Sequence, residues 1–150
     1  IGRRYRNVFG PRQDPSSEAG VVSIFISRLL KKQKLIIFGD GKQTRDYVFV
    51  KDVARANLAA GTAQVTRTDL DSTAFNIATS VERSVVELAE TVGRTMGMTP
   101  ELEFAAERAG ELRRNALNIS KAKSGLSWQP THKFDEGLEA IVSWFKQGAP

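Results

Sequence analysis

The chain has 150 residues, 41% of them hydrophobic and 26% charged, a balance that fits one domain with one sizeable core. It contains no Cys, which excludes a disulfide framework and thiolate metal sites, and no apolar run long enough to span a membrane, so a cytoplasmic setting without a membrane partner is the expectation. The net charge of +5 is lopsided: residues 1–55 hold 12 Lys+Arg against 5 Asp+Glu and residues 56–150 hold 10 against 12, which makes the first third an anion-attracting surface.

The chain opens at Ile1 directly into a strand-like run, RRYRNVF at residues 3–9, that stops at Gly10-Pro11. This abrupt start suggests a cut through a larger protein. After a loop over 11–20, Val22, Phe25, Ile26, Leu29 and Leu30 follow helical spacing, and Lys31, Lys32 and Lys34 suit the carboxyl end of a helix over 21–34. Two short β runs, Leu35–Phe38 and Tyr47–Val50, flank the turn Gly39-Asp40-Gly41 and read as a hairpin. Asp52 is expected to cap a helix that stops near Gly61, followed by polar loop to residue 73.

Ala74–Ala78 is the next strand candidate, and Ser84 with Glu87 forms a capping box for a helix running to Gly97. Leu102–Phe104 is a weak strand, 105–118 is ambiguous, Ser120–Leu126 is a short helix and Asp135 is expected to cap a last one. Alternating strands and helices predict the α/β class. The strands at 3–9 and 74–78 have no obvious antiparallel neighbour nearby in sequence, so they are expected to belong to a parallel sheet whose other strands lie outside this chain.

Catalytic constellations are sparse. The single histidine, His132, reads as a surface residue with no partner spacing for a metal or a triad; the pairs Asp40/Asp46 and Glu107/Glu111 are unremarkable in so charged a chain; and GDGKQT has neither dinucleotide-loop nor P-loop spacing. Binding chemistry has better candidates. Arg45 follows a turn and starts a β run, where a held guanidinium can grip two phosphate oxygens or pair with Asp46 or another carboxylate. Phe38 can stack a nucleobase or fill the core. Asn7, before the Val8-Phe9-Gly10-Pro11 strand end, can donate to a ligand at a sheet's carboxyl edge or cap the turn. Nucleic acid is not an expected partner, since no stacking aromatics alternate with the basic residues.

The segments RRYRNVFGPRQ, IFGDGKQTRDYVFVKDVARAN, FNIAT and ERAGELRRNALNISKAKSGLSWQP, in this order, resemble the carboxyl-terminal half of the extended short-chain dehydrogenases/reductases, and within them the NAD-dependent nucleotide-sugar epimerases and dehydratases. The resemblance implies an α/β substrate-binding part with two strands of an incomplete Rossmann sheet. It implies a UDP-sugar site in which Asn7, Arg45 and Arg108 meet the diphosphate and Glu111 lies at the ribose. Ile36 and Phe38 would enclose the uracil, the main chain at Val21 and Val22 would touch the nucleotide, and Tyr5 would lie near the nicotinamide of NAD. Asn115 falls where some members carry a Tyr that limits the sugar pocket, so a roomier pocket for an N-acetylated sugar is implied. Family members supply a GxxGxxG loop and a YxxxK pair from the Rossmann half, and neither is expected within this chain, which would then bind no NAD and catalyse nothing alone. FNIATS also sets Ala78 and Ser80 where the family usually has Gly. A stand-alone module whose exposed sheet edges pair with another chain or with a copy of itself, as in a homodimer, is the rival reading.

Overall fold

The computed structural model describes residues 1–16, 20–69 and 71–148. Within them the α/β class holds, built from short, mostly parallel strands. In chain order come β1 (Gly2–Tyr5), β2 (Val8–Phe9), α1 (Val21–Leu30), β3 (Leu35–Phe38), β4 (Thr44–Arg45), β5 (Val48–Phe49) and α2 (Val50–Thr62). They are followed by β6 (Ala74–Ile77), β7 (Arg83–Ser84), α3 (Val85–Met96), β8 (Leu102–Ala105), β9 (Arg114–Asn115), α4 (Ser120–Leu126) and α5 (Phe134–Lys146).

The strand-like run at 3–9 divides in two. Asn7 takes a left-handed backbone angle, φ 34°, which Asn tolerates better than most residues, and this ends β1 before β2 begins. The two strands then part company: β1 pairs in parallel with β6 (Gly2↔Ala74 to Tyr5↔Ile77), and β2 pairs in parallel with β5 (Val8↔Val48, Phe9↔Phe49). The expectation that the strands at 3–9 and 74–78 belong to one parallel sheet agrees with the β1–β6 ladder, which joins residues 2–5 to 74–77, while residues 8–9 pair elsewhere. The expected hairpin fails. β3 pairs in parallel with β8, 64 residues or more away, and β4 sits between antiparallel β7 and parallel β9. A glycine-bearing turn flanked by β runs satisfies a hairpin locally, but side-chain burial on both flanks is met better by separate parallel partners.

Two apolar clusters share the strands. Phe9, Leu35, Ile37, Tyr47 and Phe49 pack with α1, α3 and α5, whereas Val48, Phe75, Ile77 and Trp128 pack with α2 and α4. Tyr47, Val48 and Phe49 thus alternate between clusters, as side chains of an extended segment must. Helix α5 approaches the first cluster at Gly137, where an added Cβ would lie 2.7 Å from the Phe9 ring and 2.9 Å from Phe49.

The Ser84–Glu87 capping box forms as expected, and α3 ends on Gly97 with φ 72°. Asp52 does not cap α2; Phe49 holds that position, and Asp52 lies buried in the first turn. Asp135 likewise sits inside the first turn of α5, behind Lys133, and α1 stops at Leu30 rather than reaching 34. Among the described residues no helix is long and apolar enough to cross a membrane.

Candidate functional site

Helix α1, strands β3 and β4 and the segment 108–111 enclose a cavity of about 270 Å³. Seven residues singled out from the sequence line it: Asn7, Val21, Ile36, Phe38, Arg45, Arg108 and Glu111. Segments about a hundred residues apart meet here because β4 lies between β7 and β9, and β9 draws the 108–113 segment alongside it.

Arg45 is mostly buried at the cavity wall. Its Nη1 donates to the carbonyls of Thr44 at 2.8 Å and Leu112 at 2.7 Å, and Nη2 donates to Glu111 Oε1 at 2.7 Å. The carboxylate partner considered from the sequence, Asp46, is elsewhere: it is fully buried and accepts from the Thr79 amide and hydroxyl and from the Ser80 amide. Bonds to both Nη groups leave the Nε hydrogen and one Nη2 hydrogen for a ligand. Arg108 lies over the face of Phe38, its guanidinium carbon 3.9 Å from the ring centroid. Asn7 donates from Nδ2 to Asp46 O at 3.2 Å, which leaves its second amide hydrogen.

Three of the sequence's candidates stand apart from this cavity. Val22 is a core residue, 1% exposed. Asn115 lies on β9 directly across from Arg45 and does not line the cavity. Tyr5 sits on β1, all four residues of which are exposed; its hydroxyl donates to Asn57 Oδ1 at 2.6 Å and accepts from Arg3.

Ser80, where the resemblance implies Gly, adopts the left-handed backbone, φ 63°, and its hydroxyl donates to Leu117 O at 2.8 Å. The expected absence of a YxxxK spacing is incorrect as it stands, because Tyr47-Val48-Phe49-Val50-Lys51 has it. The side chains do not cooperate: Tyr47 is buried ahead of a strand and Lys51 is exposed in the first turn of α2, whereas facing side chains at this spacing require one helix.

Sequence reasoning missed Gln43 and Tyr47, both of which line the cavity and are only 4% exposed. Gln43 Nε2 donates to Phe38 O at 2.9 Å, which fixes the amide's orientation, and Oε1 has no partner. The Tyr47 hydroxyl is also unpartnered; burial raises its pKa, and the neighbouring Arg45 and Glu111 charges oppose one another. A buried Gln in a polar turn carries no periodic signal, so only the fold reveals it.

His132, expected at the surface with no partner spacing for a metal or a triad, is half-buried and has a carboxylate partner. Its Nδ1 lies 3.0 Å from Asp52 Oδ1, and its ring meets Phe49 edge-on at 5.1 Å. Asp52 also accepts from the Thr131 and His132 amides, the Thr131 hydroxyl and Arg55. Burial pushes the Asp52 carboxyl up, but the bonds from His132 and Thr131 outweigh it and hold the pKa below its ordinary value.

The chain is 44% identical over 140 residues to UDP-glucose 4-epimerase of Mycolicibacterium smegmatis, covering 93% of this chain and 43% of that protein. UDP-glucose 4-epimerase of Thermotoga maritima, solved with UDP-glucose, superposes with a TM-score of 0.89 at 41% identity, covering 97% of this chain and 45% of the other. UDP-N-acetylglucosamine 4-epimerase of Methanobrevibacter ruminantium, in complex with UDP-N-acetylmuramic acid, gives 0.89 at 32% identity, covering 98% and 46%. The chain thus spans less than half the length of these relatives. Residues 1–78 match the model of the NAD dependent epimerase/dehydratase family, and the chain belongs to that family.

Proposed function

We propose that the cavity beside Arg45 binds the nucleoside diphosphate of a UDP-sugar, within a protein that inverts the sugar at C4. The observation that carries this reading is the convergence of two guanidinium groups, Arg45 and Arg108, with an aromatic face, Phe38, on one concavity. A diphosphate needs fixed cations and a base needs a flat apolar surface, and each charge-assisted hydrogen bond contributes about 1.5–3 kcal/mol. Arg45 meets the phosphates through its free Nε and Nη2 hydrogens. Ile36 and Phe38 flank the base, the start of α1 at Val21 and Val22 supplies main chain, and Glu111 turns toward the ribose hydroxyls. Asn115, next to this wall, is the position at which a smaller side chain leaves room for an N-acetyl group.

In the family, NAD supplies the redox chemistry at the sugar carbon. The residues of this chain hold the nucleotide so that the sugar is presented, a positioning task. Titration calorimetry with UDP, UDP-glucose and dTDP tests the reading: UDP binding that is lost in Arg45→Ala and retained in the distant Arg94→Ala is the expected result, and equal behaviour of the two variants refutes it.

One observation favours the rival reading of self-association. Among the described residues β1 pairs with β6 alone, so its other edge offers unpaired backbone groups, and every residue of the strand is exposed. Sedimentation distinguishes the two, since a concentration-independent monomer with β1 ordered excludes pairing between copies.

A further inference from the structure

Strand β7 runs antiparallel to β4 with Arg83 directly opposite Arg45, two like charges on one face of a sheet. Glu111 meets the charge of Arg45. Arg83 has no such relief: it is half-buried, and among the described residues its guanidinium makes no hydrogen bond and has no carboxylate within 4.0 Å. Glu87 feels its field, but that carboxylate closes the capping box on the Ser84 amide at 2.6 Å. What Arg83 does touch is an aromatic face, its guanidinium carbon lying 4.5 Å from the Phe134 centroid. A half-buried cation without an anion is unfavourable, and so marks a place suited to receive one.

The guanidinium borders a cleft of about 480 Å³ between residues 79–83 and 130–135. Its aromatic wall is the partly exposed Phe134, backed by the buried Phe9, Tyr47 and Phe49, and the Phe9 and Phe134 ring centroids are 5.3 Å apart. Lys133 and Asp135 bring charges of opposite sign, His132 is held by Asp52, and Arg83 is left as the excess positive charge. The unpartnered Tyr47 hydroxyl belongs to a residue that walls both this cleft and the cavity beside Arg45.

We propose that this cleft is a second binding site, distinct from the cavity beside Arg45, for a small aromatic anion whose phosphate or carboxylate meets Arg83 and whose ring lies against the partly exposed Phe134. Its volume falls in the range of small-molecule sites, and an anion with a flat apolar body answers both the charge and the lining.

The test is a titration of the ¹⁵N-labelled chain with phenyl phosphate, followed by amide shifts. Saturable shifts confined to residues 79–83 and 130–135 are expected, undiminished in Arg45→Ala, so failure of the nucleotide reading leaves this result intact. Arg83→Gln should weaken binding about tenfold, the loss of one charge-assisted hydrogen bond. Inorganic phosphate and phenol should each bind at least tenfold more weakly than phenyl phosphate. The proposal is overturned by shifts that map to the Arg45 cavity instead, by no saturable shift in the unmutated chain, by an affinity unchanged in Arg83→Gln, or by inorganic phosphate binding as well as the aryl ester.

Discussion

Arg45 Nη2 lies 2.7 Å from Glu111 Oε1, an ion pair across 66 residues on the wall of the cavity between α1 and β4. On the proposed reading the diphosphate takes the remaining Nε and Nη2 hydrogens of Arg45, and the Glu111 charge beside them opposes the incoming anion. Glu111→Gln removes the opposing charge. Inorganic pyrophosphate, which has no ribose to lose, should then bind about tenfold more tightly by calorimetry, while UDP gains less because its ribose partner is weakened. An unchanged pyrophosphate affinity would show that the pair does not oppose the ligand.

Phe38 and Arg108 can be separated by the same comparison. The stacked pair, with Arg108 exposed, contributes about 0.5–1 kcal/mol. Phe38→Leu removes the flat face alone and should weaken UDP several-fold with pyrophosphate unaffected, whereas Arg108→Ala should weaken both about tenfold or more. Loss of pyrophosphate affinity in Phe38→Leu would contradict the division of labour.

The Asp52 network makes a stability prediction with a sign. Its folded pKa lies below the ordinary value of 3.8, so the contribution is present above that pH and is lost as pH falls through the still lower folded value. Thermal melts of the unmutated chain should drop steeply below about pH 4, and those of Asp52→Asn should drop less. Asp52→Ala strands the Thr131 and His132 amides and should cost about 3 kcal/mol at neutral pH, read by urea unfolding. Parallel acid profiles for the two proteins would remove Asp52 from this role.

Gly137 tests the packing of α5. A methyl group there must push into Phe9 and Phe49, both nearly fully buried, so Gly137→Ala should destabilise by about 1–3 kcal/mol despite the better helix propensity of Ala. Stabilisation instead would mean that α5 has room to move outward.

Local physics was legible in the sequence. The capping box at Ser84, the apolar stripe of α1, the strands at 35–38 and 74–77 and the α/β class follow from periodicity and from hydrogen bonds made within a few residues. The candidate site owes its legibility to four separated motifs, because spacing alone left Arg45 open to phosphate or carboxylate.

Pairing at a distance was decided only by the tertiary structure. Strand partners for Leu35–Phe38 and for Val8–Phe9 lie across whole helices, and a parallel ladder leaves no mark in the sequence at its own turn. The same holds for buried polar groups. Asp52 was read as a helix cap and His132 as a loose surface ring, yet each is the other's partner across 80 residues; Gln43 drew no notice until the Phe38 carbonyl fixed its amide. Removing a polar group from water is unfavourable unless a partner replaces the water, and where that partner stands is a property of the fold rather than of the neighbouring residues.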